Sequence, residues 1–143
     1  MTRAMTGGCA CGAVRYECDP PPTAMVNCHC RDCQRAGGGS DAPTFVVPAA
    51  GFRLLRGEPK IHEVRAESGN VARRGFCGDC GSPLFARSSA RADFVGIRAG
   101  SLDDPSAFAP TADVWVASAQ PWDAMDPALP KFERDRPRRG PES

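Results

Sequence analysis

Seven of the eight cysteines in this chain fall into three tight clusters. They are Cys9-Ala10-Cys11-Gly12, Cys28-His29-Cys30-Arg31-Asp32-Cys33 and Cys77-Gly78-Asp79-Cys80-Gly81. Spacings of C-x-C and C-x-x-C bring thiolates onto one ion more readily than they form disulfides here: a C-x-C disulfide closes a strained small ring, and nothing resembles the thioredoxin-like βαβ unit in which C-x-x-C is a redox pair. Two of the clusters supply two cysteines each, together the four ligands of a closed tetrahedral zinc site. The third supplies three, which leaves one position open. A closed site holds a fold together; an open one can do chemistry.

The rest of the composition narrows the class. A chain of 143 residues is one domain of ordinary size and can bury a core of its own. Residues 1–132 are read as a single zinc-binding domain and 133–143 as a polar, disordered tail, since the sequence after Phe132 is charged and proline-rich. A net charge of +1 gives no field that would gather nucleic acid, and the tail arginines Arg134, Arg136, Arg138 and Arg139 are interleaved with acids and read as solvated. No apolar run approaches the roughly 20 residues that span a bilayer. The stretch Met1–Gly8 lacks the apolar centre of a secretory signal. The expected setting is therefore the reducing cytoplasm, where clustered cysteines serve as metal ligands or redox groups.

Short alternating runs bounded by Gly, Pro, Asp or Asn predict an all-β fold. Strands are expected at Ala13–Cys18, Ala24–Cys28, Thr44–Val47, Phe52–Leu55, Ile61–Val64, Val71–Phe76, Leu84–Arg87, Phe94–Ile97 and Val114–Ala117. One short helix is expected from Arg31 to Ala36, stopped by Gly37-Gly38-Gly39, and a turn at Leu102–Pro105.

Cys9 and Cys11 share a face if their segment is a strand, so both reach one ion. Cys77 and Cys80 straddle a tight turn, with Gly81 free to take positive φ behind them. Together these four read as the structural zinc site. Cys28, Cys30 and Cys33 sit where a strand enters the helix and read as a second zinc site, the candidate catalytic residues. His29, flanked by two ligands, is expected to face away and support them from behind. Cys18 reads as a core cysteine and His62 as an exposed strand residue. Arg31, Arg35, Arg73, Arg74 and Arg98 have the charge and fork geometry to hold carboxylates, but read individually as surface arginines.

Three stretches together resemble the glutathione-dependent formaldehyde-activating enzyme family, also called the centromere protein V family. They are Gly8-Cys9-Ala10-Cys11-Gly12-Ala13-Val14-Arg15-Tyr16, Cys28-His29-Cys30-Arg31-Asp32-Cys33-Gln34-Arg35 and Gly75-Phe76-Cys77-Gly78-Asp79-Cys80-Gly81-Ser82-Pro83-Leu84. The resemblance runs from about Gly8 to Phe132. It implies a β-tent of stacked antiparallel sheets. It implies structural zinc on Cys9, Cys11, Cys77 and Cys80, and catalytic-type zinc on Cys28, Cys30 and Cys33. It also implies a carbon–sulfur lyase activity joining a thiol such as glutathione to a small aldehyde such as formaldehyde. The residues alone leave two other readings open: a non-catalytic, zinc-stabilised binding module, and a thiol or zinc redox sensor.

Overall fold

The computed structural model describes residues 4–66 and 68–136. Its described residues form ten strands and one α-helix, joined by short 3-10 turns. Strands β1 (Met5–Gly8), β2 (Arg15–Cys18) and β5 (Phe52–Arg56) make a three-stranded antiparallel sheet in the order β1-β2-β5. The second sheet has seven strands: β3 (Ala24–Cys28), β4 (Ala42–Pro48), β6 (Lys60–Arg65), β7 (Val71–Phe76), β8 (Pro83–Ser88), β9 (Phe94–Arg98) and β10 (Ala112–Val114). Their order is β10-β3-β4-β9-β8-β7-β6, antiparallel throughout except for β10, which runs parallel to β3. This is the expected all-β class.

Alternation along the strands decides what lies between the sheets. Tyr16 and Cys18 point inward from β2, Phe45 and Val47 from β4, and Val95 and Ile97 from β9, all at most 1% exposed. Cys18 is the core cysteine expected of it. Phe52 joins the sheets, with its ring 5.5 Å from Tyr16 and 5.2 Å edge-on from Phe85. Tyr16 carries a hydroxyl into this core and donates it to Ser101 Oγ at 2.6 Å, which in turn donates to the Arg98 carbonyl. A smaller cluster of Val26, Ala112 and Val114 packs against Cys28, Trp115 and Phe132.

The expected strands at residues 24–28 and 71–76 are found with those bounds, and those in β4, β5, β6, β8 and β9 lie inside the observed ones. Three departures bear on the site. The segment Cys9–Gly12 is a turn rather than a strand: Gly12 N–H donates to the Cys9 carbonyl at 3.2 Å, and β2 starts only at Arg15. The Met5–Gly8 strand has no alternating pattern, and is held by its full register against β2. The strand expected at 114–117 lies at Ala112–Val114, and the chain then turns at Trp115, whose φ of 59° is left-handed, into a 3-10 turn at Val116–Ser118. A bulky residue there costs about 1–3 kcal/mol and persists only if its surroundings hold it. Here Trp115 N–H donates to the Arg134 carbonyl at 3.0 Å, and the Arg134 guanidinium stacks 5.2 Å above the ring.

Those contacts also revise the tail. Glu133 and Arg134 accept backbone hydrogen bonds from Ala117 and Trp115, and Asp135 pairs with Arg91, so the packed chain continues past Phe132. Residues 137–143 of the expected tail, including Arg138 and Arg139, lie outside the described residues. Among the described residues no helix is long and apolar enough to cross a membrane.

Gly75, where the β7–β8 register shifts, lies directly under the Phe85 ring: a Cβ there would meet Cζ at 2.4 Å. Gly75→Ala is expected to destabilise the fold by about 1–3 kcal/mol through overpacking. Urea unfolding should show a lower midpoint with an unchanged slope.

Candidate metal centres

The first centre joins two turns. Cys9 and Cys11 lie on the turn between β1 and β2, and Cys77 and Cys80 on the knuckle between β7 and β8. Their four sulfurs lie within 4.8 Å of one another. Cys9 Sγ is 3.7 Å from Cys11 Sγ, and Cys11 Sγ is 3.8 Å from Cys77 Sγ. An ion bonded at about 2.3 Å to four tetrahedral thiolates sets sulfur–sulfur edges of roughly 3.8 Å, so the donor set fits an ion. A disulfide would bring the sulfurs to about 2.0 Å, and all eight cysteines are free.

The backbone explains why these turns aim their sulfurs together. Gly12 and Gly81 take φ of 81° and 80°, the left-handed conformation expected for Gly81. Val14 N–H donates to Cys9 Sγ at 3.2 Å, and Asp79 N–H to Cys77 Sγ at 3.4 Å. Ser82 stitches the two turns together: its Oγ accepts from Ala10 N–H at 3.0 Å and lies 3.2 Å from Cys80 Sγ. Hydrogen bonds from Ser82 hold the Cys80 thiol down at about 5. The Val14 N–H likewise lowers Cys9. At Cys11 the Ala13 N–H also favours the thiolate, but Cys9 and Cys80 oppose it and push the thiol up to about 12. Four sulfurs this close cannot all ionise without a cation among them.

The second centre lies at the β3–helix junction. Cys28 ends β3, Cys30 caps the N-terminus of helix α1 (Arg31–Gly37), and Cys33 sits in its first turn. Cys33 N–H donates to Cys30 Sγ at 3.3 Å, so a ligand sulfur doubles as the helix cap. The helix ends as the glycines require, with Gly38 at φ 78° and its N–H on the Gln34 carbonyl. The three sulfurs lie within 4.8 Å of one another. No fourth Cys, His, Asp or Glu joins them among the described residues.

Two arginines reach this cluster from the seven-stranded sheet. Arg74 on β7 places Nη1 and Nη2 each 3.7 Å from Cys33 Sγ, and Arg98 on β9 places Nη2 at 3.9 Å. Cys33 is 4% exposed, so these charges act with little screening. Its thiol is pulled far below the ordinary value by hydrogen bonds from Cys28 and Cys30, against its burial, with Arg98 and Arg74 adding to the pull. Cys28 is correspondingly pushed well up by Cys30 and Cys33. Arg98 is braced by Thr44 Oγ1 at 2.7 Å, and the buried Nε of Arg74 has no partner among the described residues.

Arg74 and Arg98 both line a cavity of about 260 Å³. Its walls include Ala36 on the Cys33 helix, Phe76 and Gly81 beside the Cys77–Cys80 knuckle, and His62, exposed as expected. The other candidate arginines lie elsewhere: Arg73 pairs with Glu63, Arg31 donates to Gln34 Oε1, and Arg35 is exposed.

His29 supports the loop and takes no part in the sulfur cluster. Nε2 lies 2.9 Å from Asp113 Oδ1 and Nδ1 lies 2.5 Å from Asp123 Oδ2, with all three side chains at most 2% exposed. Burial alone would lower the imidazole pKa, but the two carboxylates outweigh it and raise it. Asp113 balances this with Lys131 Nζ at 2.8 Å and Asn27 Nδ2 at 3.2 Å. Sequence reasoning had no signal for Asp113 or Asp123, which lie 84 and 94 residues from His29. Arg74 and Arg98 carried only their charge as a signal.

Fold and site together define a β-sheet protein with two separate cysteine clusters, each able to hold a metal ion. The model of the family described as glutathione-dependent formaldehyde-activating enzyme matches residues 4–118, and the chain belongs to that family. The crystal structure of a Rhodobacter sphaeroides protein, a structural-genomics target, is similar at a TM-score of 0.59 and 18% identity, over 90% of this chain and 99% of that one. At that identity the likeness speaks to the fold alone.

The two centres should separate on mutation. Cys30→Ala is expected to lower bound metal from about two ions per chain to one with the β-sheet circular dichroism retained. Cys80→Ala should instead lose the folded state, because its cluster ties distant turns together. Metal analysis beside circular dichroism checks both.

Proposed function

We propose that this chain is a zinc-dependent carbon–sulfur lyase-type enzyme that makes or breaks adducts between a thiol, such as glutathione, and a small aldehyde, such as formaldehyde. Both clusters hold zinc in this reading: Cys9, Cys11, Cys77 and Cys80 for structure, and Cys28, Cys30 and Cys33 for the reaction. Both donor sets are all-thiolate, and the sulfur edges of 3.7 and 3.8 Å in the four-cysteine set suit that ion. Residues 1–132 carry both centres in one zinc-binding domain, in a reducing compartment such as the cytoplasm. The single observation that carries the reading is the contact of Arg74 and Arg98, two arginines that line a cavity, with the Cys33 sulfur.

Zinc held by Cys28, Cys30 and Cys33 would supply Lewis acidity and would favour the thiolate form of a substrate thiol. The chain's own residues do the rest. Three thiolates and a dication leave one negative charge; the Arg74 and Arg98 guanidiniums turn the surroundings positive, which favours an anionic thiol. The same guanidinium forks fit a substrate carboxylate. In the addition, the substrate sulfur forms a bond to the carbonyl carbon, the C=O π pair moves to oxygen, and oxygen takes up a proton. Elimination is the reverse. The cavity beside the two arginines offers the two reactants a common site.

The test is the rate of thiol–aldehyde adduct formation and breakdown with zinc-loaded protein, followed by exchange NMR. Acceleration over buffer that is lost in Cys30→Ala is expected; no acceleration by the parent chain sinks the reading. Arg98→Gln should raise KM for a carboxylate-bearing thiol roughly 10- to 100-fold, the loss of a charge-assisted contact worth about 1.5–3 kcal/mol, and leave KM for a neutral thiol nearly unchanged.

A further inference from the structure

The family match ends at Ser118, yet the chain does not leave the second centre there. Residues 119–132 fold back over the loop that carries Cys28, Cys30 and Cys33. Gln120 Nε2 donates to Gln34 Oε1 at 3.2 Å, on the helix that holds Cys33. The Asp123 carboxylate reaches His29 Nδ1 at 2.5 Å. Farther on, Lys131 Nζ donates to Asp113 Oδ2, and the backbone pairs Asp113 N–H with the Pro130 carbonyl and Phe132 N–H with the Asp113 carbonyl, each at 2.8–2.9 Å. The segment is therefore tied at both ends and touches the loop in its middle.

His29 is where these ties converge. Its N–H donates to the Val114 carbonyl at 2.9 Å, and its carbonyl accepts from Gln34 Nε2 at 2.8 Å. Its two ring nitrogens are held by Asp113 and Asp123. All four polar atoms are thus occupied, and both peptide planes and the ring are fixed. Cys28 and Cys30 are the residues on either side, so the directions of their Cα–Cβ bonds follow from the placement of His29. Three of the four ties come from β10 and the helix. The fourth, Asp123, comes from the segment alone, and its side chain is 2% exposed, so solvent has little access to take its place.

We infer that residues 119–132 are a strap that sets the aim of Cys28 and Cys30, with Asp123 as the positioning residue that locks it. The inference rests on the reading of this cluster as a zinc site. Carboxylates hydrogen-bonded to a metal ligand typically change metal affinity 10- to 100-fold when removed, and Asp123, which acts through the residue between two ligands, is expected on that scale. Asp123→Ala leaves His29 Nδ1 without its acceptor and lets the ring and its flanking cysteines drift. The four-cysteine centre shares no hydrogen bond with the strap among the described residues, so its affinity should not move.

The experiment uses the full chain loaded with zinc and titrated with a chromophoric chelator, beside the cobalt(II)-substituted protein. The parent should release metal in two steps. In Asp123→Ala the weaker-binding step should shift by about 10- to 100-fold and the cobalt ligand-field bands of that centre should change, while the tighter step stays put. Asp123→Asn retains an acceptor oxygen and should recover most of the difference. Parent-like release and cobalt spectrum in Asp123→Ala, even with a lower melting temperature, would mark the strap as structural only and overturn the inference. If Asp123→Ala does not fold, Gln120→Ala decides: a weaker second step supports the strap and an unchanged one overturns it. A parent chain that binds one zinc overturns both this inference and the proposed function, whereas loss of the adduct activity with two intact release steps strikes the proposed function alone.

Discussion

Mutual repulsion among the Cys9, Cys11, Cys77 and Cys80 sulfurs is the constraint on which the rest of the fold depends. The chain brings them within 4.8 Å of one another, and the backbone N–H groups of the two turns favour thiolate at some of them. The result without a cation is a conflict: Cys80 near 5 and Cys11 near 12 in one cluster. An ion at the centre would turn that conflict into a bond network. It would close a loop of 66 residues between Cys11 and Cys77, a cross-link of the order of 4 kcal/mol in chain entropy by the logic of a disulfide. It would anchor both sheets, because Cys9 and Cys11 follow β1 of the small sheet and Cys77 and Cys80 follow β7 of the large one.

The second cluster uses the same residue type under different forces. At the first centre, backbone N–H groups and one serine offset the sulfur charges at a partly open surface. At the second, two guanidiniums face the sulfur of Cys33, a residue 4% exposed, and a helix N–H donates to Cys30. Charges count for more there because less water screens them. The network behind His29 follows from the same burial. An imidazole with both nitrogens against carboxylates donates to both only as the imidazolium, which balances one of the two charges, and Lys131 balances the other at Asp113.

Much of this was legible in the residues. Cysteine spacing grouped the ligands, because tight motifs place sulfurs through local geometry. Alternation found most of the strands, because the sheets have one face on a shared core. What failed was whatever depends on distant partners. Met5-Thr6-Gly7-Gly8 becomes a strand only through its pairing with β2. The Cys9–Gly12 segment turns because Cys9 N–H is taken by the Val14 carbonyl at 3.1 Å, which leaves no strand partner for the residues between. Trp115 ends its strand at a backbone angle that no propensity predicts, held by Arg134. Asp113 and Asp123 look like ordinary polar residues until the chain folds them around His29.

The placement of Arg98 shows how packing at one remove shapes the cavity. On the helix-bearing face of the large sheet, β7, β8 and β9 put Arg74, Ala86 and Gly96 side by side in register. The small residues at 86 and 96 leave room between the two arginines. A Cβ at Gly96 would meet Thr44 Cγ2 at 2.8 Å, so any larger residue there must displace Thr44. Thr44 donates its one hydroxyl proton to the Ala42 carbonyl at 2.9 Å, which leaves its lone pairs to accept from Arg98. That contact fixes one arm of the guanidinium and turns the other toward Cys33. The charge beside the cysteine is thus positioned by a glycine and a threonine that never touch the sulfur, a dependence invisible in spacing and dictated by sheet register.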